Sequence, residues 1–285
     1  MTKPHTLLAA LLLIGAAGFV RAGPTTSASL SAAWEENITH TTFEAEAYDA
    51  MLYEGNFEGQ WHSQVSHDVL LNFGANAGFE SCPRYHDLDR VLLGAEVGIQ
   101  RKFGLGPLAP VLGADLSYTG SASRGSERSG ARLLAGLKWS RRWNESWQTV
   151  VAADYMANTG RARVYHYSNH GLSLETHYDF AEHWQLTAGC KREWGEQVAY
   201  AWIGGRGASY PYAYAIWKNT TDSGTFGKNW QVYTMDAHAD IAWISISPVL
   251  AGDRSLPLRY EQTSVVGRGE SYKVRLLSLS FVQRF

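Results

Sequence analysis

Apolar and polar residues alternate with a period of two along most of the chain. From Val69 to Phe79 the odd positions read Val69, Leu71, Phe73, Ala75, Ala77 and Phe79, with Asn72, Gly74, Asn76 and Gly78 between them. That period belongs to an extended strand with one apolar face and one small or polar face. The run exceeds an ordinary strand of about 5–6 residues and matches the ~9–11 residues of a tilted strand that crosses a membrane. The pattern recurs. Val91, Leu93, Ala95, Val97 and Ile99 oppose Arg90, Gly94, Glu96, Gln100 and Lys102. Leu112, Ala114, Leu116 and Tyr118 oppose Asp115 and Ser117, and Leu133, Ala135, Leu137 and Trp139 oppose Arg132, Gly136 and Lys138. Val151, Ala153 and Tyr155 oppose Asp154, while Leu172, Leu174, Tyr178 and Phe180 oppose Glu175, His177 and Asp179. Trp184, Leu186 and Ala188 oppose Lys191 and Glu193. Last, Tyr233, Met235, Ala237, Ala239, Ile241 and Trp243 oppose Asp236, His238 and Asp240.

The breaks between these runs alternate in length. Short ones fall near 64–67, 104–109, 143–146, 182–184 and 247–255; longer or more polar ones fall near 38–46, 80–88, 120–130, 159–169, 204–230 and 266–271. Counting the segments predicts about twelve antiparallel strands joined up-and-down, with both chain ends on the short-turn side. Trp139, Trp143, Trp147 and Trp184 stand beside short turns, and Tyr178 and Phe180 flank another. Amphipathic rings at strand ends are what a membrane–water interface selects. A soluble sandwich would alternate as well; strand length and the terminal aromatics favour a transmembrane β-barrel.

The first residues read differently. Lys3 precedes an apolar run from Leu7 to Val20, shorter than the ~20 residues of a membrane-spanning helix. Val20 and Ala22 then stand where a signal peptidase reads side chains, which predicts a cleaved signal peptide over 1–22 and one barrel domain over 23–285.

Composition narrows the class further. Charged residues are only 18% of the chain, below the roughly 25% of soluble domains. With 25 Lys and Arg against 27 Asp and Glu there is no basic surplus for a nucleic-acid partner. The aromatic content argues against disorder. Cys82 and Cys190 can form one bridge at most; they fall on segments far apart around a ring, so free thiols are expected. The ten histidines are scattered, no Gly-rich run has phosphate-loop or dinucleotide spacing, and no metal or cofactor is expected.

At the other end, Leu277, Leu279, Phe281 and the terminal Phe285 share one face. This resembles the C-terminal signal of bacterial outer-membrane proteins that the barrel-assembly machinery reads. Such signals carry an aromatic two residues before the end, where this chain has Gln283. With the signal peptide and the alternating segments, the whole chain resembles the porin-like superfamily of twelve-stranded outer-membrane barrels. The resemblance implies a bacterial outer-membrane location, contact with outer-membrane lipid, and assembly by that machinery.

Such a barrel predicts its own lumen. Arg90, Lys102, Arg132, Lys138 and Arg142 would form a basic wall, against Glu96 and Asp115; Glu175, Asp179, Glu193, Asp236 and Asp240 would form an acidic one, against Lys191. Opposed walls would orient small polar solutes in a narrow pore; ion pairing could equally close so small a lumen. Two other readings stand beside the passive pore. A lipid-modifying hydrolase needs a Ser and a His on one face near the outer leaflet, and Ser168 and His170, two apart, share a face. The Asn-His pair there is reminiscent of the phospholipase A signature, but the Ser expected two residues after the His is Leu172. A surface-binding, adhesin-like barrel could use the aromatic loop 204–230, with Tyr210, Tyr212, Tyr214 and Trp217.

Overall fold

The computed structural model describes residues 24–181, 183–203, 217–267 and 269–285, with the backbone of Val20–Arg21. Strands β1 Thr25–Glu36, β2 Ala50–Gln64, β3 Val69–Ser81 and β4 Arg90–Lys102 run antiparallel in chain order. β5 Val111–Ser123, β6 Gly130–Arg142, β7 Trp147–Gly160 and β8 Tyr167–Ala181 continue the meander. β9 Trp184–Trp202, β10 Trp230–Ala251, β11 Leu258–Gly267 and β12 Ser271–Arg284 complete it. β12 pairs antiparallel with β1 from Arg275↔Glu36 to Arg284↔Ser27, so the twelve strands close into a barrel and leave no edge. Three short pieces flank the ring: Val20–Arg21 on β2, Thr220–Ser223 on β10, and Arg254–Ser255 between β10 and β12.

The strands form because apolar side chains at every second position find one common environment. Leu93, Leu116, Leu137, Leu172, Ile244, Leu277 and Leu279 all stand exposed on the outer wall, Leu93 at 65%. Two aromatic belts bound that band. Trp61, Trp143, Trp147, Tyr178, Phe180, Trp184 and Phe281 lie toward the short turns; Trp34, Tyr53, Phe79, Tyr118, Tyr155 and Trp194 lie toward the long loops. An apolar outer band between aromatic girdles is the surface a barrel turns to lipid.

Local chemistry makes the short turns. In the β6–β7 connection Asn144 Oδ1 accepts the backbone N–H groups of Ser146 (2.9 Å) and Trp147 (2.7 Å), the side chain standing in for a backbone turn. The β4–β5 connection uses Gly104 and Gly106 at φ 115° and 83°, a region that a Cβ disfavours. The connection expected near 247–255 is tighter than its sequence suggests, because β10 continues to Ala251.

Among the described residues, the buried apolar clusters lie at the long-loop end. Loop 37–49 folds inward: Ile38 N–H donates to Tyr48 O (2.7 Å), Thr39 Oγ1 donates to Glu46 O (2.8 Å), and Tyr200 N–H donates to Thr39 O (3.0 Å). Ile38, Cys82, Val164, Tyr165, Tyr200, Phe226, Trp230 and Val232 pack together there, with Tyr48 and Tyr85 against them. A second cluster joins Trp217, Tyr233, Met235, Ala239, Val265 and Tyr272. β9 and β10 are the longest strands, at 19 and 22 residues, and carry this packing beyond the other strand ends.

The barrel lumen as candidate functional site

The pleat assigns the inner wall. On β4 the exposed Val91, Leu93 and Ile99 alternate with Arg90, Glu96 and Lys102, which therefore face inward. The register carries this face to Asp115 on β5, to Arg132, Lys138 and Arg142 on β6, and to Asp154 on β7. Glu175 and Asp179 on β8, and Lys191 and Glu193 on β9, continue it.

The charges do not simply confront one another across the lumen. Most acids pair with neighbours along the wall. Lys191 Nζ reaches Glu193 Oε1 at 2.7 Å and Asp154 Oδ1 at 3.0 Å. Arg90 binds Glu80 through two hydrogen bonds of 2.7 Å. Glu175 meets His177 at 2.8 Å and accepts the Trp243 indole N–H at 3.1 Å, while Asp179 accepts from Gln185 at 2.9 Å. Lys102, Arg132, Lys138 and Arg142 take part in no ion pair among the described residues; Arg142 donates to Glu145 O at 3.0 Å.

Two glycines leave room for charged side chains close to the wall. Lys191 lies across Gly171, where a Cβ would stand 2.5 Å from its Cε, and the Asp115 carboxylate lies across Gly136, where a Cβ would stand 2.7 Å from an oxygen. Lys191 thus runs along the wall toward Asp154 and Glu193.

Two of the expected acidic lumen residues are elsewhere. Asp236 and Asp240 share the outward face of β10 with Ile244, which is 50% exposed. Asp240 pairs there with Arg192 of β9 at 2.5 Å, and Asp236 with Lys218 at 2.6 Å. The alternation on β10 is inverted because the long-loop end has an apolar interior: Tyr233, Met235 and Ala239 face that core instead of lipid. The Arg192–Asp240 pair sits two residues inside Trp194 on the same strand, hence on the lipid side of the outer aromatic belt.

Other sequence candidates fall into place. Ser168 and His170 share the outward face of β8, opposite Ala157 and Tyr155. The His170 ring stacks on Trp194 at 5.5 Å, and no hydrogen bond joins Ser168 to His170 among the described residues. Tyr210, Tyr212 and Tyr214 lie outside the described residues, as does the segment 1–19 of the expected signal peptide. Trp217 is described: it is buried and stacks on Tyr233 at 4.0 Å. Phe281 shares the outer face with Leu277 and Leu279, and the Phe285 N–H donates to Thr26 O at 2.8 Å across the closing seam. Cys82 is buried and Cys190 exposed, each a free thiol.

Pattern reading passed over several inward groups. Asp154 and His177 were visible in the alternation as polar-face residues. Arg128, in the turn before β6, carries no periodic signal; it is placed by packing, its guanidinium 5.8 Å over the Tyr165 ring. Tyr165 and Tyr200 join hydroxyl to hydroxyl at 3.2 Å, and burial first, then Tyr200, push the Tyr165 phenol well above its ordinary range. These rings help line a cavity of about 370 Å³, together with Arg90, Arg128, Arg132, Asn169, Glu193 and Gln197.

No family model matches this chain. No curated protein matches it either. Solved structures do. An outer-membrane channel from Pseudomonas putida F1 superposes with a TM-score of 0.56 at 12% identity, over 93% of this chain and 97% of that one. A NanC porin gives 0.48 at 8% identity, over 90% and 98%. A KdgM porin gives 0.42 at 10% identity, over 89% and 98%. At 12% identity the likeness to the Pseudomonas putida channel is one of fold, and it agrees with the closed ring: the chain folds as a closed, twelve-stranded antiparallel β-barrel.

Proposed function

We propose that the protein is a narrow, passive pore for small polar solutes in a bacterial outer membrane. The observation that carries this reading is the inner wall below the aromatic cluster. Lys191 and Asp115 lie against Gly171 and Gly136 on that wall, and Lys191 is tied to Asp154 and Glu193 along it, while the outer wall is apolar between two aromatic belts. The fold shared with the Pseudomonas putida channel supports it. On this reading residues 1–22 direct export and are removed. The outward Leu277, Leu279, Phe281 and terminal Phe285 serve the barrel-assembly machinery, and lipid surrounds the band between the belts.

Conductance of the refolded barrel in a planar bilayer tests the proposal. Discrete current steps are expected. Arg132→Gln and Lys138→Gln each remove an inward charge that has no ion-pair partner, so each shifts ion preference toward cations. Gly171→Leu displaces Lys191 into the lumen and lowers the step size. A heat-modifiable barrel that carries no current overturns the pore, and lipid turnover sensitive to Ser168→Ala or His170→Ala would put the hydrolase reading in its place.

A further inference from the structure

Three side chains that line one cavity each bury a polar atom with no hydrogen-bond partner among the described residues: Arg128 Nη1, Asn169 Oδ1 and Gln197 Nε2. They come from three parts of the chain, the turn before β6, β8 and β9. Asn169 is 4% exposed. Six such atoms occur among the described residues, and three of them belong to residues that line this one cavity; a buried polar atom without a partner forfeits its hydration.

The remaining charges around the cavity are largely engaged. Arg90 is held by Glu80 at 2.7 Å, Glu193 by Lys191 at 2.7 Å, and Glu35 faces His40 at 3.3 Å. Arg132 has no ion pair, and it lines both this cavity and a smaller one beside it, as does Arg128. The unmet groups therefore have a definite polarity. Arg128 Nη1 and Gln197 Nε2 are N–H donors that lack acceptors, and Arg132 adds a cation without an ion pair; the Asn169 oxygen is an acceptor that lacks a donor. The space, about 370 Å³, is of small-molecule size.

We propose that this cavity is a binding site for a small carboxylate that also carries an O–H or N–H donor, that is, a hydroxy acid or an amino acid. The carboxylate oxygens accept from Arg128, Arg132 and Gln197, and the donor group of the ligand gives its hydrogen to Asn169 Oδ1. Charge-assisted bonds to guanidinium supply the hold. The single acceptor supplies discrimination, because a ligand without a donor leaves that oxygen buried and unpaired. The site rests on the pore reading only for the ligand's route of entry.

Isothermal titration of the refolded barrel in detergent with sodium lactate, L-serine and sodium acetate tests it, alongside conductance in bilayers. Lactate or serine is expected to bind at least tenfold more tightly than acetate, and which of the two binds assigns the ligand as hydroxy acid or amino acid. Asn169→Ala abolishes that ratio while leaving acetate binding in place. Arg132→Gln weakens every carboxylate at least tenfold. Arg128 is packed over Tyr165, so the unpaired Arg132 carries the cation test, and heat-modifiable gel migration verifies that each variant is folded. Absence of binding to a folded barrel overturns the site, as does binding that neither variant changes. Binding by a barrel that conducts no current keeps the site and removes the pore; current steps without binding do the reverse.

Discussion

Asp89 stands between β3 and β4, where its carboxylate accepts the Cys82 backbone N–H at 2.7 Å and the Ser81 hydroxyl at 3.1 Å, with His86 Nδ1 at 3.1 Å. Burial alone would raise this carboxyl, but the Cys82, His86 and Ser81 bonds outweigh it and hold it below the usual carboxylate range. A carboxylate so lowered contributes stability above its unfolded value of about 3.9, and the contribution is lost as pH falls through the lower folded value. Loop 82–89 should therefore loosen below about pH 4, read as faster hydrogen exchange at the Cys82 amide. Asp89→Asn should exchange fast at neutral pH and lose this acid dependence. Arg192 and Asp240 pose a different problem, since the pair lies on the lipid-facing wall. Each charge is tolerated because the other is 2.5 Å away. Asp240→Asn leaves the arginine alone near the belt and should lower barrel stability, the more so the farther Arg192 is held from the interface. The double variant Arg192→Leu/Asp240→Leu should recover most of that, measured by urea unfolding in lipid vesicles.

β10 is where element-level reading succeeded and failed together. The strand is there, and the period of two is correct, yet its faces are exchanged. On β3 to β8 the apolar face meets lipid, so hydropathy and orientation coincide. At the long-loop end of β10 the interior is packed with Trp217, Tyr272 and Val265, and the apolar residues Tyr233, Met235 and Ala239 belong there. A single strand has no means of stating which of two apolar environments its face will meet; only the inward fold of loop 37–49 and the stretch from Trp217 onward decides it. Labelling tests the register directly. With Cys190→Ser as background, single cysteines at Asp240, Ala242 and Ile244 should react with a lipid-soluble maleimide, and those at Ala239, Ile241 and Trp243 should not. The opposite pattern would restore Asp240 to the lumen. The cavity was harder to foresee than the wall. Arg132 is marked by its alternation, whereas Arg128 and Gln197 reach the same space from a turn and from the far part of β9, a meeting that no periodicity encodes.

The whole molecule inverts the usual arrangement over part of its height and restores it over the rest. Between the belts the apolar surface is outside and the polar surface inside; toward the long loops aromatic side chains also pack on the inner side. What makes the ring one object is its seam. β12 must find β1 across nearly the full chain, with Arg275 on Glu36 at 3.0 Å at one end and the Phe285 N–H on Thr26 at the other. Contacts between such distant residues form late, and until they form both flanking strands present unpaired backbone. The seam also brings Thr26 and Phe285 within one hydrogen bond of each other. The order of the strands around the ring is therefore not tied to the order of synthesis: a short linker could join these ends, and the chain could begin instead at the Gly104–Gly106 turn on the same rim. Such a permuted barrel would keep the pairs of the twelve-strand ring while Leu277, Leu279, Phe281 and Phe285 moved to the middle of the chain, and so would separate what closure requires from the assembly role proposed for those residues.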